Sequence, residues 1–170
     1  MAILPRLSMR NMQAALALCL TWLPGPLLAE TAALDAVLAR ATAPAGIVFE
    51  IVDRDPQALN HALPWVVDAA RQLRQRFPKL EMAVVSHGQE MFALQKSAQG
   101  KNLQPHQLAQ QLVKQEGIPV HVCETYAGWK GIAPEAFPEY IDVAPAGPAQ
   151  INNYMALGYI RIVVPKTAKR

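Results

Sequence analysis

The residues from Gly117 to Gly131 read GIPVHVCETYAGWKG, and they carry the clearest structural pattern in the chain. It opens with a Gly-Ile-Pro turn, continues through three alternating β-branched residues, and ends in a polar segment punctuated by glycine. This pattern is typical of a buried strand that ends in a loop. Because ligands and reactive groups collect at the carboxyl ends of parallel strands, the thiol of Cys123 is the candidate reactive group.

Apolar runs elsewhere in the chain predict four further strands. They lie near residues 47–52, 80–86, 140–144 and 159–164. Apolar residues at helical spacing predict helices over 31–41, 55–77, 89–97, 105–116 and 149–157. This order predicts an α/β fold, a three-layer α/β/α domain with a mostly parallel sheet of about five strands and right-handed crossovers.

Local signals set the expected helix ends. Asp55 is a candidate N-cap, with Pro56 as the first helical residue. Pro64 predicts either a kink or a helix that begins near Asn60, because proline cannot donate to the carbonyl four residues earlier. Gly158 is the expected C′ residue of the last helix.

The first 29 residues have the pattern of a secretory signal peptide. Arg6 and Arg10 precede an apolar run, and Ala29 is the expected cleavage site. The run is shorter than the roughly 20 residues that a membrane span requires, so an uncleaved anchor is the weaker alternative. The predicted organisation is a signal peptide at 1–29, a lead-in helix at 30–44 and one α/β domain at 45–170. The expected location is periplasmic.

Charge argues against a nucleic-acid-binding protein. Without Arg6 and Arg10 the chain keeps 14 basic and 13 acidic residues, a net charge of +1. The remaining cationic cluster is the tail Lys166, Lys169 and Arg170, which is expected to be solvated. No nucleic acid and no stable membrane insertion are therefore expected.

The two cysteines of the chain indicate a special role for one of them. Cys19 lies in the predicted signal peptide, so the exported protein keeps Cys123 alone. A single thiol in an oxidising compartment is either buried and inert, paired between subunits, or reactive. The sequence alone leaves all three open.

Sequence motifs of several enzyme classes are missing. No Gly-x-Gly-x-x-Gly or Walker loop follows the first strand, and no cysteine pair or Cys/His cluster has redox or zinc spacing. Ser86-His87-Gly88 lacks the glycine spacing of a nucleophile elbow. No sequence feature indicates a flavin site either, so we expect no cofactor and no metal.

Several motifs, taken in order, resemble the exported branch of the DsrE/DsrF-like family. They are VFEI at 48–51, DPxALN at 55–60, VVSHG at 84–88, GIPVHVC at 117–123, AGWKG at 127–131 and VAPAG at 143–147 followed by Gly158-Tyr159. The similarity spans roughly residues 46–164. The resemblance implies a small α/β domain that forms homotrimers or homohexamers. In sulfur-relay members such as DsrE and TusD, one cysteine carries a persulfide, and Cys123 matches it by position. Those relay proteins are cytoplasmic, whereas this chain has an export signal.

A sulfur carrier needs an accessible thiolate, groups that favour it, and a wall that shields the terminal sulfur. A short helix starting near Glu124 would direct its amides at the Cys123 thiolate. Supporting or pocket residues predicted around the catalytic Cys123 are His121, His87, Ser86, Trp129, Tyr126 and Asn60.

Each supporting residue also has a structural interpretation. The histidines can be hydrogen-bonded core groups, Trp129 and Tyr126 can be subunit contacts, and Asn60 can be a helix cap. His106, by contrast, is expected on the surface.

Two functions of different class follow. The first is a periplasmic persulfide carrier that uses Cys123, in effect a sulfurtransferase-like protein, with sulfur donor and acceptor proteins or small sulfur compounds as partners. The alternative is a non-catalytic oligomeric binding module in which the cysteine is buried.

Overall fold

The computed structural model describes residues 26–166, so the predicted signal peptide lies outside the described residues except for its last four positions. The helices are α1 (Pro26–Leu38), α2 (Leu59–Arg76), α3 (Leu103–Lys114), α4 (Glu124–Trp129) and α5 (Gly147–Ala156). The strands are β1 (Gly46–Ile51), β2 (Glu81–Ser86), β3 (Val120–Cys123), β4 (Asp142–Ala144) and β5 (Tyr159–Val163). Helix α1 therefore runs across the predicted cleavage site at Ala29.

The five strands form one parallel sheet in the order β4-β3-β2-β1-β5. The predicted α/β fold, with a mostly parallel sheet of about five strands, is confirmed. Strand β2 is the middle strand, and β1 also lies inside the sheet, because it pairs with β2 on one side and with β5 on the other. Ser86 pairs with Val122, so β2 and β3 end side by side at the same edge of the sheet.

The two faces of the sheet pack against different helices. Side chains such as Phe49, Val84 and Val122 join residues of α1, α2 and α3 in the main hydrophobic core. On the opposite face, Val48 and Val85 pack with Ile151 of α5 in a second, smaller core. Helices therefore cover both faces, which makes the domain three-layered.

Several predicted element bounds differ from the structure. Helix α2 begins at Leu59, close to the start near Asn60 that Pro64 predicted, and a turn precedes it in which the Asp55 side chain accepts from the Gln57 amide at 2.9 Å. Pro64 then lies in the second turn of α2. The segment predicted as a helix at 89–97 is two 3₁₀ turns, Gln89–Leu94 and Lys96–Ala98.

Gly158 has the predicted role at the end of α5, with a φ of +86° that a residue with a side chain rarely adopts. The expectation for His106 was wrong. Its side chain is 2% exposed, and its two ring nitrogens lie 2.6 Å from the Tyr140 hydroxyl and 3.0 Å from the Ala93 carbonyl oxygen. None of the described helices combines the length and the apolar character that a membrane span requires.

Candidate functional site

Cys123 lies where β3 meets α4. It is the last residue of the strand and the N-cap of the helix, and its Sγ accepts a hydrogen bond from the Tyr126 amide at 3.4 Å. The residue is 5% exposed. The backbone thus supplies the sulfur with a donor, and the surrounding protein shields it from most of the solvent.

A cavity of about 590 Å³ opens beside this sulfur. Its walls come from the carboxyl ends of β2 and β3, from α4 and from the first turn of α5. The lining residues are His87, Cys123, Thr125, Tyr126, Trp129, Ala146, Pro148, Ala149 and Asn152. We call this cavity the cysteine cleft. It is large enough for a small sulfur compound or for an extended peptide segment.

His87 lines the cysteine cleft, and its ring is hydrogen-bonded to Glu50 of β1. Its Nε2 is 2.8 Å from Oε1 of Glu50, and Oε2 of Glu50 pairs with the guanidinium of Arg161. Burial raises the pKa of Glu50, but the hydrogen bonds and charges of His87 and Arg161 outweigh that effect and leave the pKa below its ordinary value. Glu50 is therefore a carboxylate at neutral pH.

Ser86 precedes His87 but points into the protein and does not line the cleft. Its hydroxyl donates to Oε1 of the buried Glu90 at 2.8 Å. Glu90 also accepts from the amides of Gly88 and Asp53, at 2.9 and 2.7 Å. Burial raises the pKa of Glu90, against the opposing effect of these hydrogen bonds. These hydrogen bonds of Glu90 connect the loops that follow β1 and β2, so they restrain the loop that carries His87.

His121 shares a sheet face with Cys123 but lies one pleat deeper. Its Nε2 is 2.8 Å from the Tyr154 hydroxyl, and its Nδ1 is 2.7 Å from the Asp142 carboxylate. Burial lowers the pKa of His121, and Asp142 opposes this only in part. His121 is therefore neutral at neutral pH, and its contacts connect β3 with α5 and β4 and do not reach the cleft.

The remaining predicted site residues also fall into two groups, those that line the cleft and those that do not. Trp129 is 77% exposed and forms the outer wall of the cleft, and Tyr126 donates its hydroxyl to Oε1 of Gln89 at 2.9 Å. Asn60 lies exposed on α2 and donates to the Gln57 side chain at 2.9 Å. Cys123, His87, Tyr126 and Trp129 are thus brought together, whereas Asn60 and the two buried residues Ser86 and His121 lie elsewhere.

Sequence reasoning missed Glu50 and Arg161. A glutamate inside an apolar strand was the available signal for the first, since a buried carboxylate needs partners. Arg161 carries no comparable signal, because it is 111 residues away from Glu50 and only the strand order places it beside β1.

Comparison with known proteins supports the fold. No protein-family model and no curated protein matches the chain. A solved structure, the protein of unknown function MTH1491 from Methanobacterium thermoautotrophicum, superposes with a TM-score of 0.53 at 17% identity, covering 69% of this chain and 96% of that chain. The ychN protein from E. coli has a TM-score of 0.46 at 17% identity, with 70% and 97% covered.

This chain shares the fold of MTH1491. At 17% identity the similarity to MTH1491 extends to architecture and does not reach activity. Chemistry at the cysteine cleft must therefore be argued from the residues of this chain.

The chemistry available in the cleft is that of one thiol and one imidazole. Within residues 26–166, no three His, Cys, Asp or Glu side chains come together in a way that could hold a metal ion. Cys123 can act as a nucleophile toward sulfur, His87 can exchange a proton, and the aromatic walls can limit the entry of bulky thiols.

Proposed function

We propose that this protein is a sulfur-relay protein in which Cys123 alternates between a thiol and a persulfide. The observation that carries the proposal is the position of Cys123, which ends β3, accepts a hydrogen bond from the Tyr126 amide and lines the cysteine cleft. A persulfide carrier needs the same combination of a reachable sulfur, a nearby donor and shielding walls.

Loading of such a carrier is a simple exchange. The Cys123 thiolate attacks the outer sulfur of a donor persulfide R–S–SH, a new S–S bond forms, and the old one breaks. R–S⁻ leaves with the electron pair and takes up a proton, while Cys123 keeps the terminal SH. An acceptor thiolate then removes that sulfur by the same step, so no external oxidant or reductant is needed.

The test is the intact mass of the protein after incubation with inorganic polysulfide or thiosulfate. We expect a gain of one or more sulfur atoms on Cys123, prevented by prior alkylation and absent from Cys123→Ser. A full chain with Cys19→Ser is the matched control, because it removes the other thiol and leaves Cys123 in place. Unchanged sulfur loading after Cys123→Ser is added to that Cys19→Ser background, in a folded protein, would refute the proposal.

The burial of Cys123 favours a second candidate, a non-catalytic oligomeric binding module. At 5% exposure the thiol could be a core residue, as unpaired cysteines often are. This function predicts a native thiol that resists alkylation and a Cys123→Ala variant with unaltered partner binding. Rapid alkylation of the native protein would count against it.

Location and assembly belong to the same proposal. The signal-peptide pattern of residues 1–29 supports export to the periplasm, and the family resemblance supports a homotrimer or homohexamer. Periplasmic fractionation and light scattering of the purified protein test the two statements separately. A cytoplasmic, monomeric protein would remove both and leave the chemistry of Cys123 to be judged alone.

A further inference from the structure

Glu50, His87 and Arg161 form a connected set of polar side chains behind the cysteine cleft, and we call it the charge network. Glu50 is 5% exposed near the carboxyl end of β1, and its two oxygens have different partners: Oε1 contacts His87, and Oε2 contacts Arg161. Arg161 alone would suffice to neutralise the buried carboxylate. The second oxygen is instead used to hold an imidazole at the wall of the cleft.

The strand register places His87 beside Cys123, and both residues line the cysteine cleft. The last registered pair of β2 and β3 is Ser86 with Val122, and His87 and Cys123 are the next residues on the two chains. The ladder to β1 also continues one step, because the His87 amide donates to the Ile51 carbonyl at 3.1 Å. Since neighbouring strands lie roughly 4.8 Å apart, the two side chains emerge side by side on one face.

The backbone at Gly147 packs closely against the His87 side chain. A Cβ at this position would lie 2.4 Å from Cβ of His87 and 3.0 Å from its Cγ, so the first turn of α5 sits directly against the His87 side chain. His87 is thus held by Glu50 on one side and by the backbone of α5 on the other. A surface histidine without a role would not require this confinement.

We propose that His87 is the acid–base partner of Cys123 and that Glu50 and Arg161 are positioning residues that hold it in the cleft. The assignment rests on the proposed function for its chemistry. In the loading step, protonated His87 gives its proton to the leaving thiolate R–S⁻ and becomes neutral. It regains a proton when the acceptor thiol gives one up in the discharge step, so the cycle balances.

The charged and titratable groups around His87 come from several elements. Glu50 lies on β1, Arg161 on β5, and Cys123 and Tyr126 belong to the segment from β3 to α4. A neighbouring cavity that His87 also lines brings Asp53, Arg54 and Lys166 to its outer side. The residues of α5 that line the cleft are uncharged. Glu50 is the group among these that contacts the ring directly.

The rate of alkylation of Cys123 as a function of pH tests the assignment without using sulfur transfer. We use the full chain with Cys19→Ser, so that Cys123 is the single thiol, and compare it with His87→Gln. Without an imidazole to take up the proton of the thiol, the alkylation rate at pH 7 should fall by about three- to tenfold and its pH profile should change. His61→Gln on α2 is the matched control and should leave the profile unchanged.

Glu50→Gln together with Arg161→Gln tests the positioning role, because this pair leaves the net charge constant and leaves no isolated buried charge. It should move the profile in the same direction as His87→Gln. On a His87→Gln background it should add nothing, since its effect passes through the imidazole. Circular dichroism confirms that each variant is folded.

Two results would overturn the assignment. One is a folded His87→Gln variant with the parental alkylation profile; the other is a Glu50/Arg161 double variant whose effect is undiminished when His87 is absent. Failure of the proposed sulfur-relay function would give a different experimental result from failure of this assignment. In that case the parental protein gains no sulfur from polysulfide, while the alkylation profiles still show coupling of His87 to Cys123.

Discussion

The close approach of Gly147 to His87 can be tested by adding one methyl group. In Gly147→Ala the new Cβ would lie 2.4 Å from Cβ of His87, whereas carbon atoms in contact prefer about 3.5–4.0 Å. The neighbouring atom belongs to the rigid base of the side chain and cannot rotate away. The first turn of α5 must therefore move outward by roughly 1 Å.

The expected cost follows from this displacement. Overpacking of a well-packed site costs about 1–3 kcal/mol, and replacing a helical glycine by alanine returns less than about 1 kcal/mol, little of it at the first helical position. We expect the free energy of unfolding to fall by about 1–2 kcal/mol, which lowers the Tm by roughly 3–8 °C for a domain of this size. The displaced helix also widens the cysteine cleft, so Cys123 should react faster with iodoacetamide.

Gly128→Ala is the matched control on the other wall of the cleft. A Cβ on Gly128 meets nothing within 4 Å, and Gly128 lies inside α4. This variant should be neutral or up to about 1 kcal/mol more stable. Urea unfolding followed by circular dichroism measures both changes. Equal stability of the two variants would refute the packing argument at Gly147.

The other predictions concern acid stability and a buried hydrogen bond. Burial lowers the pKa values of His106 and His121, so below about pH 6.5 the unfolded chain binds protons that the folded protein refuses, and the free energy of unfolding falls as pH decreases. Glu50 adds to this loss below about pH 4.5, because its pKa is lowered in the folded state, whereas Glu90, whose pKa burial raises, opposes the loss. Urea titrations between pH 4 and 8 should show a net decline, because two histidines act against one carboxyl group, and a flat profile would contradict it. Tyr140→Phe removes the hydroxyl 2.6 Å from Nδ1 of His106 and should cost about 1–2 kcal/mol, which chemical unfolding can measure; an unchanged midpoint would show that the contact adds nothing.

Local sequence signals predicted the elements that local physics controls. The alternation of β-branched residues located β3 and its carboxyl end at Cys123, and Gly158 marked the end of α5 through its positive φ. Where two local signals competed, the prediction was less accurate. Asp55 and Pro56 are good helix-start residues, but they form a separate turn before α2 begins at Leu59.

Contacts between segments that lie far apart in the sequence could not be predicted from the sequence. His106 was expected at the surface, but α3 places it against Tyr140 and the first 3₁₀ turn. The partners of Glu50 depend on β5 lying beside β1, and alternation within a strand carries no information on its neighbours. The roles of Cys123 and its supporting residues remain predictions for the experiments above.

The position of β1 between β2 and β5 has a consequence for how the chain acquires its structure. Strand β1 is the first of the five strands to be synthesised, but its second neighbour, β5, is the last of them, and Arg161 arrives with it. Until β5 leaves the ribosome, one edge of β1 is unpaired and the Glu50 carboxylate lacks its guanidinium partner. The sheet therefore cannot be completed before β5 is available, and the final, cooperative folding step waits for that strand.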